Sequence, residues 1–268
     1  NFTTATNSYN TAVGYGAGLS VTTGVRNTLI GGLSGDALTT GDNNVALGFN
    51  ALSADTQGDR NIAIGTDALS AQNFTTSTDS YNTAIGFQSG VSVTTGLQNT
   101  LIGGLAGDSL TDADDNVAIG VVALTADTLG SRSVAVGRGT LGTQNFTTAT
   151  NTYNTAVGYD AGAAVTTGIR NTLIGGLAGD SITDADNNVA VGTSALATNQ
   201  LGSQNIAIGR NSLALMNPST AANTYNTAVG ADAGYAVTTG IKNTLIGGLA
   251  GDALTDSDYN VALGDQAL

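Results

Sequence analysis

A five-residue motif, Asn-x-(Ala/Leu)-(Val/Ile/Leu)-Gly, recurs along the whole chain, and this periodicity constrains the fold more than any other feature. Its fifteen copies are separated by 17, 17, 17 and 21 residues in a cycle that then begins again, so four copies make a 72-residue super-repeat. Self-similarity at a short fixed period is typical of solenoids, in which each repeat stacks on its neighbours. Val, Ile, Thr, Asn and Gly dominate each copy and the apolar spacing is two, which favours strands over helices.

We therefore predict an all-β protein: a parallel β-solenoid of about fifteen coils, with equivalent strands stacked side by side. The prediction treats residues 1–268 as one repeat domain. Because the chain starts in mid-repeat, we expect it to be a piece of a longer protein. The predicted subdivisions are the end of a preceding coil at 1–9, complete super-repeats at 10–81, 82–153 and 154–225, and a partial one at 226–268.

Asparagine occupies the first position of the motif in fourteen copies, and Ser133 is the exception. Stacked Asn side chains can hydrogen-bond amide to amide up a column, as in cross-β ladders. Alternatively, these residues serve only as turn formers. The predicted structural ladder consists of Asn10, Asn27, Asn44, Asn61, Asn82, Asn99, Asn116, Asn154, Asn171, Asn188, Asn205, Asn226, Asn243 and Asn260.

Glycine occupies the fifth position in every copy. A Gly that follows each short β-rich run predicts a sharp corner, where φ is positive or another backbone approaches closely. In the first seven copies the predicted corner residues are Gly14, Gly31, Gly48, Gly65, Gly86, Gly103 and Gly120.

The remaining positions of the motif are apolar on both sides of the predicted strand. The second and fourth positions share one side and form an apolar stripe of Thr, Val, Ile and Leu. The third position points the opposite way and holds only Ala or Leu. Since a strand apolar on both faces is normally buried on both, the third column should meet either the facing wall of its own coil or a neighbouring chain. We favour a homo-oligomer over a monomeric solenoid.

The motif resembles the head repeat of trimeric autotransporter adhesins, most plainly at residues 116–120 (Asn-Val-Ala-Ile-Gly) and 133–137 (Ser-Val-Ala-Val-Gly). It is also similar to repeats of phage tail-fibre and other surface-filament proteins. The resemblance covers essentially the whole chain. It implies a left-handed parallel β-roll, three chains side by side as a homotrimer or filament, and a role in attachment.

Composition argues against several classes of function. The chain has no His and no Cys, the commonest general base, nucleophile and zinc ligand, so we predict that it is not an enzyme; a hydrolase using paired Asp is the weaker alternative. Twenty acidic against seven basic residues give a net charge of −13, which disfavours nucleic acid as a partner. No apolar run approaches about 18 residues, so we expect no membrane insertion by this segment.

Acidic residues cluster once per super-repeat after the sequence Gly-Gly-Leu-x-Gly. This segment is partly similar to the calcium nonapeptide of RTX proteins, with its third Gly displaced by one place. Clustered carboxylates suit Ca²⁺, but copies four turns apart would lack ligands from an adjacent turn, and turn-forming Asp is the alternative. We predict no cofactor, with calcium as the alternative. Its candidate ligands are Asp108, Asp112, Asp114, Asp180, Asp184, Asp186, Asp252, Asp256 and Asp258.

The longer fourth turn adds four residues, Asn-Phe-Thr-Thr in its clearest copies. Insertions in solenoids form loops on one face, often the binding face, and exposed aromatic residues suit protein or glycan contact. The same side chains could equally fold back over the roll. The possible partner-facing ridge consists of Phe2, Phe74, Phe146, Tyr81 and Tyr153.

Together these features predict a stiff repeat rod in an extracellular filament, adhesin or fibre of a bacterial cell surface or virion. It would act in attachment to a host or surface receptor, either protein or glycan, through many weak contacts. The alternatives are a calcium-binding RTX-like solenoid and an ice-binding solenoid. Pairs such as Thr22-Thr23 recur only once in four turns, which counts against a continuous ice-binding lattice.

Overall fold

The computed structural model describes residues 5–268, and the regular secondary structure of this part of the chain is β-strand throughout. It therefore contains no helix that could cross a bilayer. Fifteen three-residue strands coincide with positions two to four of the motif, and six two-residue strands accompany the long turns. The strands are β1 Thr11–Val13, β2 Thr28–Ile30, β3 Val45–Leu47, β4 Gly58–Asp59, β5 Ile62–Ile64, β6 Thr78–Asp79, β7 Thr83–Ile85, β8 Thr100–Ile102, β9 Val117–Ile119, β10 Gly130–Ser131, β11 Val134–Val136, β12 Thr150–Asn151, β13 Thr155–Val157, β14 Thr172–Ile174, β15 Val189–Val191, β16 Gly202–Ser203, β17 Ile206–Ile208, β18 Ala222–Asn223, β19 Thr227–Val229, β20 Thr244–Ile246 and β21 Val261–Leu263.

The chain divides into two compact units, Asn1–Arg132 with Thr147–Thr150, and Ser133–Phe146 with Asn151–Leu268. In the first unit, seven strands pair in parallel in the order β1-β2-β3-β5-β7-β8-β9. In the second, eight strands pair in the order β11-β13-β14-β15-β17-β19-β20-β21.

Each strand residue lies beside its equivalent in the next motif. The offset is 17 residues, as between Thr83 and Thr100, or 21 across a long turn, as between Ile206 and Thr227. One motif thus supplies one coil, and the predicted parallel β-solenoid of about fifteen coils is confirmed.

The third position of the motif faces the interior of the coil. Leu101 and Ala118 are fully buried, whereas Thr100 and Ile102 are only half-buried and Ile119 is exposed. Of the two surfaces considered for the third column, the structure therefore selects the facing wall of the same coil. The apolar stripe of the second and fourth positions points outward instead, because a three-residue strand turns only its central side chain inward.

Large and small residues are matched across this thin interior. In one turn Leu29 faces Gly35, where an added Cβ would lie only 2.8 Å from Leu29 Cδ2. The next turn has the reverse arrangement, with Ala46 in the strand and Leu52 in the opposite wall, both fully buried. In these two turns the large side chain thus changes places between the strand and the opposite wall, and this exchange is one origin of the super-repeat.

The fifth-position glycines form backbone corners. The φ angles are +134° at Gly31 and Gly103 and lie between +134° and +142° at all seven predicted corners. A Cβ on Gly103 would lie 2.5 Å from the carbonyl oxygen of Gly120, one turn further on. Both reasons predicted for glycine therefore hold here, positive φ and close approach of another backbone.

The Asn column ties each turn to the next through the backbone. Asn99 Nδ2 donates a hydrogen bond to the carbonyl oxygen of Ala113 at 2.8 Å, and Asn99 Oδ1 accepts the N–H of Asn116 at 3.0 Å. Amide-to-amide bonds also occur but are longer, such as Asn99 Nδ2 to Asn82 Oδ1 at 3.3 Å. The ladder differs from the expected one in that its main bonds run from side chain to backbone.

Replacing Gly103 by Ala is expected to lower the free energy of unfolding by about 2 kcal/mol or more, because the new Cβ meets the next corner in a strained backbone conformation. Gly104→Ala is the matched control, since a Cβ there meets nothing within 4 Å. Urea unfolding followed by circular dichroism measures both variants. Equal midpoints would show that the fifth position is not a backbone corner.

Candidate functional site

Each unit has an apolar surface on the outward side of its three-residue strands. We call this surface, formed by the second and fourth positions of every motif, the outer face. It holds 22 aliphatic residues and eight threonines and no charged residue. Leu47 and Ile62 in the first unit and Ile246 in the second are exposed. Contiguous exposed apolar surface of this kind marks interaction sites.

Aromatic residues extend this apolar surface at some of the corners that follow the strands. Phe49 and Phe87 in the first unit and Tyr159 in the second are each more than half exposed. They occupy the position directly after the corner glycine. The outer face is therefore bordered by large side chains that suit burial against a partner.

The opposite border of the outer face carries a tyrosine or a basic residue before ten of the fifteen motifs. The Arg60 guanidinium lies 5.6 Å from the ring centroid of Tyr81 and also pairs with Asp79. Lys242 Nζ donates a hydrogen bond to the Tyr259 hydroxyl at 2.9 Å, which raises the pKa of that lysine. These groups are solvent-exposed, so each pair contributes little to stability.

The predicted aromatic ridge is only partly exposed. Tyr81 and Tyr153 are about half exposed, but Phe74 and Phe146 are buried, at 7 % each. Phe2 lies outside the described residues. The two phenylalanines therefore do not form a partner-facing ridge, and of the two arrangements considered they adopt the folded-back one. Burial of their rings holds the long turn against its coil.

A buried carboxylate accompanies this folded-back turn, and the sequence analysis missed it. Asp55 Oδ1 accepts hydrogen bonds from the backbone N–H groups of Gly58 at 3.0 Å and Phe74 at 3.1 Å, and Oδ2 accepts one from Gln72 Nε2 at 2.7 Å. Burial raises the pKa of Asp55 above its ordinary value of 3.8, although these hydrogen bonds act to lower it. The signal was visible in the sequence, because the equivalent positions hold Asp127 and then Asn199.

The carboxylates considered as calcium ligands are spread along the repeat and bond to adjacent turns. Asp114 Oδ1 accepts the backbone N–H of Leu97 at 2.8 Å, and Asp112 accepts a hydrogen bond from the hydroxyl of Thr95 at 2.5 Å. Asp186, Asp184 and Asp258 accept the corresponding bonds from Ile169, Thr167 and Ile241, Asp108 bonds to Thr125, and Asp256 bonds to Thr255.

Two further candidate ligands, Asp180 and Asp252, lie at the position that Asp108 holds in its own super-repeat. Burial raises the pKa of Asp180, and the nearby Asp160 charge adds to this. Within residues 5–268, no three His, Cys, Asp or Glu side chains come together in a way that could hold a metal ion. The arrangement supports the turn-forming role for these aspartates.

A shallow cavity of about 290 Å³ lies on the surface of the second unit. It is lined by Arg210 and Asn211 from one turn, Asp232 and Tyr235 from the next, and Leu249 and Asp252 from a third. Arg210 Nη2 donates to Asp232 Oδ2 at 2.5 Å and Asn211 Nδ2 to Asp232 Oδ1 at 2.9 Å. Only Asp252 of this set was singled out from the sequence, because the lining residues come from three turns and share no local pattern.

Because the pKa of Asp55 is higher in the folded chain, the native state binds this proton more tightly than the unfolded chain does. The resulting stabilisation is complete below about pH 3.8 and is lost as the pH rises through the raised folded pKa. We expect the double variant Asp55→Asn/Gln72→Met, which copies Asn199 and Met216 of the third super-repeat, to show a flatter pH dependence of unfolding. Urea unfolding at about pH 5 and about pH 8 measures this.

The control for this experiment is Asp79→Asn, which removes an exposed carboxylate near the same turn and should leave the pH dependence as it is in the parent chain. A double variant whose pH dependence equals that of the parent would show that Asp55 is not the titrating group.

Because the candidate aspartates do not come together, we expect the chain to unfold at the same thermal midpoint with added calcium and with a calcium chelator. Asp114→Ala should lower the free energy of unfolding by about 1 kcal/mol, because the Leu97 N–H loses its acceptor. Asp114→Asn keeps an acceptor oxygen and should cost less. A midpoint that rises by several degrees with calcium in the parent chain, but not in Asp114→Asn, would instead support the calcium alternative.

Comparison of this chain with protein-family models, with curated proteins and with solved structures found no match.

Proposed function

We propose that this chain is a structural repeat rod that associates with further copies of itself through the outer face. The single observation that carries the proposal is that 22 aliphatic side chains point away from the core in register. Such a surface costs free energy in water, about 25 cal/mol per Å² of apolar area left exposed, and association removes that cost.

Charge distribution supports a second copy as the partner. The chain carries −13, yet neither column of the outer face contains a charged residue. Two copies that meet on this face therefore bring neutral surfaces together while their carboxylates stay in solvent. The number of chains proposed is three, which follows from the resemblance to adhesin heads.

Placement outside the cell follows from the same proposal. A strongly acidic rod built only of short strands and turns suits an extracellular filament, adhesin or fibre. Its attachment to a host or surface receptor would draw on many equivalent weak contacts along the repeat. Such a rod needs no catalytic residue.

Ice binding is a second candidate for the outer face. Thr83 and Thr100 lie on adjacent strands of this face, half-buried and pointing outward, beside Ile85 and Ile102. Their neighbours in the stack, Ile62 and Val117, interrupt the threonine column. An ice-binding surface must remain free of a partner chain, so the two functions exclude each other.

Sedimentation equilibrium tests the proposal directly. We expect a mass of three times the 26.4 kDa of one chain. Ile102→Lys places a charge on the outer face without entering the core and should shift the equilibrium to single chains. Ser109→Lys adds the same charge outside the outer face and should keep the assembly intact.

The opposite results are equally clear. A parent chain that sediments as a single chain at all concentrations would overturn self-association. If that single chain also inhibits ice recrystallisation, and Ile102→Lys abolishes the inhibition, the outer face is an ice-binding surface.

A further inference from the structure

The cavity on the second unit brings an apolar pair of side chains together with charged and amide groups. Its volume of about 290 Å³ is near the lower end of small-ligand sites, which start at about 300 Å³. Three successive turns contribute, and the Asn bonds that join those turns, from Asn226 N–H to Asn205 Oδ1 and from Asn243 N–H to Asn226 Oδ1, also fix the cavity. It begins at the border of the outer face, where Arg210 directly follows the corner Gly209, and its other residues lie further along the segments that follow the corners.

Polar groups at the cavity are held in place before any ligand arrives. Asp232 receives hydrogen bonds from both Arg210 and Asn211, which orients all three side chains. Arg210 keeps further N–H donors and Asn211 keeps its carbonyl oxygen as an acceptor. Within residues 5–268, neither the Asp252 carboxylate nor the Tyr235 hydroxyl has a hydrogen-bond partner. The cavity therefore offers both donors and acceptors.

The apolar part of the cavity is small and exposed. Tyr235 is 40 % exposed and Leu249 is 36 % exposed. An aromatic ring beside an aliphatic side chain suits the C–H face of a pyranose ring, while hydroxyl groups at the edge of that ring suit carboxylate, amide and guanidinium partners.

Charge restricts the class of ligand. Two carboxylates and one guanidinium line the cavity, and the chain as a whole carries −13. An anionic sugar would meet like charge there, whereas a neutral sugar would not. We propose that this cavity binds one neutral monosaccharide unit of a glycan. The inference deepens the proposed attachment function by naming a receptor class and a site.

Equivalent positions in earlier super-repeats provide natural comparisons. One super-repeat earlier, Ala163 replaces Tyr235 and Gly139 replaces Asn211, while the arginine, both aspartates and the leucine are retained. Two super-repeats earlier, Val91 stands in place of the tyrosine and Thr66 in place of the arginine. The complete set occurs only at the last of these places, so we expect one site per chain.

Saturation-transfer NMR with the methyl glycosides of glucose, galactose, mannose and N-acetylglucosamine tests the proposal. At least one of these neutral sugars should receive saturation from the parent chain, and the methyl glycoside of N-acetylneuraminic acid should not. Tyr235→Ala should weaken binding by about tenfold or more. Tyr225→Ala removes a similarly exposed tyrosine that does not line the cavity and should bind as the parent does.

A gain-of-site variant makes the test sharper. Ala163→Tyr with Gly139→Asn completes the earlier copy around Arg138, Asp160 and Asp180. Asparagine tolerates the φ of +67° at position 139, and its Cβ would meet only the end of the Asp160 side chain. Titration with the bound glycoside should then give two sites per chain in place of one.

Three results would overturn the inference: no neutral glycoside binds, Tyr235→Ala binds as well as the parent, or the anionic sugar binds best. None of these results changes the sedimentation mass, so the rod would stand without the sugar site. Conversely, a chain that sediments singly but binds the glycoside through Tyr235 would lose self-association and keep the site.

Discussion

The bonds between each buried asparagine and the backbone of the next turn underlie the rest of the structure. A coil this thin has many backbone groups facing its interior, and an unpaired buried N–H or C=O costs about 1–3 kcal/mol. One Asn side chain satisfies one of each. Where the sequence has Ser133 instead, the Ser133 hydroxyl itself is hydrogen-bonded to Gln144 Nε2 at 2.9 Å and to the Thr152 hydroxyl at 2.6 Å. The column therefore fixes the register of the strands, and the register decides which side chains lie inside.

The narrowness of the interior explains where the hydrophobic residues lie. A Cβ added at Gly35 would lie only 2.8 Å from a methyl group of Leu29, so the residue that faces this leucine has no space for a side chain. The chain nevertheless has an aliphatic residue at the fourth position of every motif and an aliphatic residue or threonine at the second. They cannot fit inside, so they cover the outer face. The same geometry that stabilises a coil thus produces an apolar surface.

The repeat made the fold class, the parallel register and the glycine corners predictable, because each follows from a period that only stacking can satisfy. The sequence left open what the third column meets, either the facing wall of its own coil or a neighbouring chain; the narrow coil puts Ala118 against its own wall and turns Ile102 outward. The burial of Phe74 and Asp55 depends on how a long turn folds back, which the sequence left open for Phe74 and indicated for Asp55 only through the equivalent Asp127 and Asn199. The cavity at Tyr235 joins three turns, and its residues carry no local pattern.

Under the proposed self-association, the outer face would also limit how copies of the chain can be aligned. Along its second position, two threonines alternate with two aliphatic residues, as in Thr83, Thr100, Val117 and Val134. A copy displaced by one turn would place hydroxyl groups against aliphatic side chains at half of its levels, and a displacement of two turns would do so at every level. Matching returns only after four turns, about 19 Å along the stack. The 72-residue super-repeat would thus set the register between two copies, because shifts by one, two or three turns mismatch the threonine column.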